Sequence, residues 1–270
     1  NPTVNRQVGD IRRIPLAIPS KLNDMEVSVL SKANILIKKT LCRFSLYEFC
    51  YKESPYTRFA HGEFRNRLTL FFNYENHLLT QVLINEAIIN EKIFEVYNLT
   101  EHDKAMVLAK EGESIGGLPV LTVARDAYLA ETEATKDFPL DAVRDFITVL
   151  PTREFTADEL ETIESGFPSL YQNNNDLEEF CIRHQVNPIN VWYLFKKSNV
   201  IPQQRMQTLA MEFLADVIRE ILMADEDGII PLVPNAGKKV LLDHIEEKFR
   251  DKGFSLAQYS SFDTVLGRPL

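Results

Sequence analysis

The feature that most constrains the fold is an uninterrupted helical pattern between Phe64 and Leu99. This segment contains neither proline nor glycine, the two residues that most often interrupt a helix. Its large apolar side chains recur at the spacing of one helix face. The pattern therefore predicts a long amphipathic helix that packs on the helix before it. The apolar positions are Leu68, Phe72, Leu79, Leu83, Ile89, Ile93 and Val96.

Helical spacing continues along most of the chain, so we predict a mainly α protein. The predicted fold is a helical spacer with long amphipathic helices and short β segments at residues 11–18 and 229–233. Capping boxes that begin at Thr100 and Thr156 predict two helix starts, and Gly253 is a natural helix end. Further helices are expected at 22–40, 177–185, 188–198, 203–224 and 238–252. In the first of these, one stripe is formed by Leu22, Met25, Val29, Ala33 and Leu36.

Composition excludes several classes of protein. A 45% hydrophobic and 26% charged composition is typical of a globular chain, not of a disordered or collagen-like one. No apolar run is long enough to cross a membrane. The three cysteines lack zinc-site spacing and do not support a disulfide framework. We therefore expect a soluble cytoplasmic protein that does not engage a membrane.

The chain also lacks the common catalytic and cofactor motifs. It has no phosphate-binding P-loop, no G-x-G-x-x-G turn, no H-E-x-x-H helix and no G-x-S-x-G elbow. Its five histidines are scattered, with none paired four residues apart. We therefore assign no catalytic, cofactor-binding or metal-binding residue to this chain.

Charge is distributed unevenly along the sequence. The formal net charge is −9, yet residues 1–58 carry a net +5 and the remainder a net −14. Residues 111–165 carry 13 acids and 4 bases, an acidic face unsuited to meeting phosphate. Residues 180–211, in contrast, contain neither Asp nor Glu.

The acid-free segment 180–211 combines basic residues with amides, a pairing that suits DNA, because Lys and Arg neutralise phosphates while Asn and Gln bridge base edges. Two alternatives stay open: its aromatic residues belong to a core and its lysines are simply solvated, or the basic groups dock another domain. The basic residues near the N-terminus could line a nucleic-acid channel or dock a partner domain equally well. The candidate DNA-binding residues are Arg12, Arg13, Lys38, Lys39, Asn190, Lys196, Lys197, Gln204 and Arg205.

The first hundred residues also carry a family resemblance. The run Asn1-Pro2-Thr3-Val4-Asn5-Arg6-Gln7-Val8-Gly9-Asp10-Ile11, followed by Ile14-Pro15, resembles the segment that links the catalytic and target-reading parts of adenine-specific DNA methyltransferases. It is most similar to the large type IIG-like enzymes, including PglX of the BREX phage-defence systems and the methylases of DISARM islands. Asn90, Ile93-Phe94 and Tyr97-Asn98-Leu99 resemble a further pattern of this family, and 187–193 does so more loosely.

The resemblance implies a parent enzyme of the restriction-modification type that methylates adenine N6 with S-adenosylmethionine at a specific DNA site. Such enzymes need an Asn/Asp-Pro-Pro-Tyr/Phe motif, whereas Asn1-Pro2 continues into Thr3 and Asn187-Pro188 into Ile189. The resemblance therefore places no catalytic or cofactor-binding residue on this chain. Because the sequence begins with Asn1 and its first methionine is Met25, we expect an internal piece of a longer protein.

In this interpretation the chain has three segments. Residues 1–20 end the target-reading segment, 21–115 form the helical spacer, and 116–270 form a mainly helical C-terminal accessory domain. The first hypothesis is a DNA-positioning scaffold whose partners are double-stranded DNA, the missing catalytic domain and other phage-defence subunits. The second is a protein-interaction module that docks such subunits through the acidic face of residues 111–165 without touching DNA. The third is an acidic DNA mimic, which the basic N-terminal segment disfavours.

Overall fold

The computed structural model describes residues 16–59, 63–112, 114–135, 141–172, 176–234 and 237–254. Within these ranges the protein is mainly α, as the sequence predicts. Short 3₁₀ turns at Ile115–Gly117 and Phe167–Ser169 join some of the helices. The helices in chain order are α1 (Lys21–Cys42), α2 (Pro55–Arg58), α3 (Phe64–Val96), α4 (Glu101–Glu111), α5 (Thr122–Thr135), α6 (Asp141–Val149), α7 (Ala157–Ser165), α8 (Asp176–His184), α9 (Pro188–Ser198), α10 (Gln203–Ala224) and α11 (Leu241–Asp251).

The helix ends follow the local chemistry of the sequence. Thr100 and Thr156 accept hydrogen bonds from the backbone N–H three residues later, and the acid at that position accepts one from the backbone N–H of the cap residue. Both predicted capping boxes are therefore confirmed. Asn187 caps α9 ahead of Pro188, whose missing N–H costs nothing at a first helical position. Gly253 follows α11 at φ +80°, a left-handed conformation that glycine adopts readily.

Helix α3 is the centre of the molecule. Helix α1 packs along it, and α9 and the turn at Ile115–Gly117 pack against its other sides. The close approach of the turn requires glycine at position 116. A Cβ atom there would lie 2.7 Å from the Leu83 carbonyl oxygen and 2.8 Å from the Ala87 Cβ. The absence of a side chain at Gly116 therefore lets the backbone of the turn rest directly on α3.

One continuous hydrophobic cluster joins the two segments that the sequence divides at residue 115. It runs from Leu30 on α1 to Phe254 after α11, and it includes side chains from both sides of that division. At one end of it, the rings of Phe64 and Phe254 stack with centroids 4.3 Å apart. The packing of each segment therefore depends on the other.

The apolar stripe predicted on the first helix does not face this core. Leu22, Met25 and Leu36 are all more than half exposed, whereas Leu30 and Ile37 are buried. The helix carries apolar side chains on two faces, so periodicity alone does not distinguish them. Contact with α3 selects the face that contains Leu30.

The predicted β segments are not formed within the described residues. Residues 16–18 and 229–233 have no strand, and 11–15 lie outside the described ranges. A strand needs a neighbouring ladder to satisfy its backbone, and Pro231 lacks the N–H to join one. Ile229 is instead 69% exposed. Elsewhere in the described residues, Val120 and Thr152 form an isolated parallel bridge.

Candidate functional site

Helix α3 buries an unusual number of polar side chains for a central helix. Some of them are structural ties between elements. The Arg67 guanidinium donates to the Tyr56 carbonyl at 2.9 Å and to the Gly253 carbonyl at 3.0 Å, and it lies 3.9 Å over the ring of Phe254. Buried polar groups are normally paired in this way. The buried polar residues of α3 are Arg67, Glu75, Asn76, His77, Thr80, Gln81 and Asn85.

Glu75, in the middle of this series, borders a polar cavity of about 340 Å³. The cavity lies where the last turns of α1, the middle of α3, the Tyr171 turn and the beginning of α10 meet. Its walls combine two cations, two carboxylates and apolar side chains. The lining residues are Lys38, Leu41, Cys42, Ser45, Glu48, Glu75, Leu79, Tyr171, Gln172 and Arg205.

An ion pair between Glu75 and Arg205 closes one side of the cavity. Arg205 Nη2 lies 3.3 Å from Glu75 Oε1, and the two side chains are 20% and 10% exposed. Burial raises the pKa of Glu75, an effect that the nearby Asp176 reinforces and Arg205 opposes. The pairing is incomplete, because Glu75 Oε2 and Arg205 Nε are buried without a hydrogen-bond partner among the described residues.

Tyr171 forms the second unusual feature of the cavity wall. Its backbone has φ +64°, a left-handed conformation that is costly for a bulky residue. Its ring packs edge-on against Phe195, with centroids 5.4 Å apart, and nearly parallel to Phe72. Its hydroxyl is buried without a partner in the described part of the chain. Burial, followed by the charge of Glu75, raises its pKa far above the ordinary value.

The structure brings together two of the predicted DNA-binding residues at this cavity. Lys38, in the last turns of α1, and Arg205, in the first turn of α10, both line it. Lys38 and its neighbour Lys39 are exposed. Arg205 is instead engaged with Glu75, which leaves little of its guanidinium available to a phosphate.

Another pair of predicted residues lies near the end of α9. Lys196 Nζ is 3.1 Å from Glu131 Oε2 and 5.2 Å from the centre of the Trp192 ring. Lys197 is exposed, and its ammonium lies 6.0 Å from the ring of Tyr193. Of this pair, Lys197 has the freer charge.

The four remaining predicted residues have different outcomes. Asn190 is fully buried, where its Oδ1 accepts from the Leu121 N–H at 2.8 Å and its Nδ2 donates to the Pro119 carbonyl at 3.1 Å. Asn190 thus ties α9 to residues 119–121, and its assignment as a base contact stays a prediction. Gln204 is exposed on the first turn of α10. Arg12 and Arg13 lie outside the described residues.

Sequence reasoning missed Glu75 and Tyr171, although one signal for Glu75 was present. Glu75 falls three residues after Phe72 and four before Leu79, within the apolar stripe of α3. An acid in such a stripe is unusual, because a buried carboxylate needs a partner. Tyr171 lies in a turn and had no comparable signal.

Within the described ranges, no group of three His, Cys, Asp or Glu residues could hold a metal ion. No helix described there is both long enough and apolar enough to cross a membrane. No protein-family model, curated protein or solved structure matches this chain.

Proposed function

We propose that this chain is the DNA-positioning and scaffold region of a site-specific adenine-N6 DNA methyltransferase of phage defence. Methyl transfer from S-adenosylmethionine would then belong to the catalytic domain of the parent enzyme. The resemblance of residues 1–103 to PglX-like enzymes supports the identity of the parent. The surface of α1 supports the contact with double-stranded DNA.

The observation that carries the proposal is the state of Lys38 and Lys39. Both are exposed near the end of α1, and neither forms a salt bridge with a carboxylate among the described residues, while Lys38 interacts with the charge of Glu86 at longer range. Lys238 and Lys239, an adjacent pair elsewhere, are in contrast bound to Asp227 and Glu247. Unpaired lysines on a chain of net charge −9 are free to neutralise phosphates. Lys197 and Gln204 are additional candidates on α9 and α10.

Salt-dependent binding of a fluorescent DNA duplex tests this proposal. Each phosphate that is neutralised contributes about −0.9 to the slope of log affinity against log salt. Reversing the charges in Lys38→Glu/Lys39→Glu is expected to weaken binding of all sequences and to make the slope shallower by about two. The matched control, Lys238→Glu/Lys239→Glu, makes the same charge change at lysines that already have partners.

Equal effects of the two double variants would show that only net charge matters and would contradict a contact at α1. Absence of duplex binding by the unmodified chain at low salt would contradict the DNA-positioning role altogether. A parallel pair, Lys196→Glu/Lys197→Glu, measures the contribution of α9. If only this α9 variant loses duplex binding, the DNA contact lies on α9 and not on α1.

A protein-interaction module is the second candidate function, and the region where α3 meets α4 favours it. Ile93 and Tyr97 are each 42% exposed, and Met106 of α4 is 61% exposed. Glu91, Glu95 and Glu101 in the same part of the chain are also exposed, and exposed apolar side chains rimmed by polar groups are typical of surfaces that bind other proteins. This function would be favoured if the chain does not bind a DNA duplex but does bind a partner protein, and if Met106→Asp abolishes that protein binding.

A further inference from the structure

We propose that the cavity between α1, α3 and α10 binds a small zwitterion of the size of a free α-amino acid. The charges of its wall are balanced. Lys38 and Arg205 supply two cations, and Glu48 and Glu75 supply two carboxylates. A zwitterion presents both signs to such a wall, whereas a simple anion or cation meets a like-charged pair.

The unpartnered atoms of the wall match the same chemistry. Among the residues that the structure describes, Arg205 Nε and the Tyr171 hydroxyl are donors without acceptors, and Glu75 Oε2 is an acceptor without a donor. Buried polar atoms left in this condition cost free energy, which a ligand can recover. A ligand carboxylate would accept from Arg205 and Tyr171, and a ligand ammonium would donate to Glu75.

These three atoms are covered in the structure, so binding requires a side chain to rotate. Arg205 is suited to this movement, because its side chain is 20% exposed and it lines the cavity. Side-chain rotamer changes are common on binding. The ring of Tyr171, in contrast, packs against the rings of Phe72 and Phe195. The movement required for binding is therefore assigned to Arg205.

The size and remaining surface of the cavity agree with this class of ligand. A volume of about 340 Å³ lies at the lower end of the range for small-molecule sites. Leu41 and Leu79 add an apolar section of wall. This section would contact the side chain of an amino acid, while the charged groups hold its backbone ends.

The test is a set of thermal-shift and calorimetric titrations of the 270-residue chain with each common amino acid. We expect at least one amino acid to raise the melting temperature and to bind stoichiometrically. Arg205→Gln and Glu75→Gln should each weaken that binding about tenfold or more, as expected for loss of a charge-assisted hydrogen bond. Lys104→Gln, which alters a cation paired with Glu101 outside the cavity, should leave it unchanged.

Tyr171→Phe keeps the test decisive if the charge variants fail to fold, because it removes only the unpartnered hydroxyl. It should weaken binding without lowering the melting temperature of the free chain. No shift with any amino acid would overturn the proposal. So would binding that Tyr171→Phe and Arg205→Gln leave intact, or equal binding of inorganic phosphate alone.

Discussion

The Tyr51 hydroxyl donates a hydrogen bond to Asp216 Oδ2 at 2.6 Å, joining the loop after α1 to the middle of α10. Asp216 is only 5% exposed, and Arg219 binds its other oxygen through Nε and Nη2. Burial, then the hydrogen bond to Asp216, raises the pKa of Tyr51. The bond holds the loop that leads from α1 toward α2 against the body of the protein.

Replacing Tyr51 with Phe should lower the free energy of unfolding by about 1.5–3 kcal/mol, because it removes a hydrogen bond to a buried charge. Chemical denaturation measures the change. Tyr47→Phe is the matched control, since Tyr47 lies in the same loop and is 83% exposed. Similar losses in the two variants would mean that the bond to Asp216 contributes little.

Asn190→Ala should destabilise the fold by about 2–3 kcal/mol. The change leaves the Leu121 N–H and the Pro119 carbonyl without their partner inside the core. Thermal and urea unfolding report it, and Asn90→Ala, at an exposed position on α3, should have little effect. An Asn190→Ala variant that keeps its stability but binds the duplex more weakly would support Asn190 as a DNA contact.

Gly116→Ala should destabilise the protein by about 1–3 kcal/mol through overpacking. The added Cβ meets the Leu83 carbonyl oxygen, a backbone atom of α3 that has little freedom to move. Gly117→Ala is an adjacent control with open space around its Cβ position. The urea midpoints of the two variants are compared at an equal dependence of the unfolding free energy on urea. The difference between them distinguishes crowding at α3 from the general cost of losing a glycine.

Cys42 and Cys50 should form an intramolecular disulfide when glutathione disulfide is supplied. Both residues line the same surface groove beside α1, and pairing their thiols transfers two electrons to the added disulfide with loss of two protons. Burial raises the pKa of Cys42. Its thiolate fraction, and with it the rate of oxidation, should therefore keep rising to a higher pH than for an ordinary thiol.

Intact-mass measurement during oxidation follows this reaction as the loss of two hydrogens. Cys50→Ser should abolish the loss. Cys181→Ser should not, because Cys181 is buried and its pKa is strongly raised by burial. A mixed disulfide with glutathione as the final product would show that the two thiols do not approach closely enough.

Local patterns predicted most helix positions but not every facing. The α9 and α10 predictions at 188–198 and 203–224 agree with the structure, because Pro188 and the flanking residues specify these ends locally. These patterns could not show which face of α1 is buried, because both Leu22 and Leu30 belong to apolar stripes. Only the position of α3 distinguishes the two.

The candidate site shows the same division. The acid-free segment 180–211 indicated basic residues, yet it could not separate Asn190 in the core from Lys197 at the surface. Nor could it show that Arg205 meets Glu75, a residue 130 positions earlier in the chain. Composition reports which groups are present, whereas partners depend on distance in space.

The sequence by itself determined the helical class, the central helix, the capping boxes and the left-handed glycine at 253, because each depends on interactions between residues a few positions apart. Tertiary structure alone decided which stripe of α1 is buried, that 229–233 has no strand, and that Glu75, Tyr171 and Arg205 surround one cavity. Those outcomes depend on contacts between distant segments, whose free energy no local pattern contains.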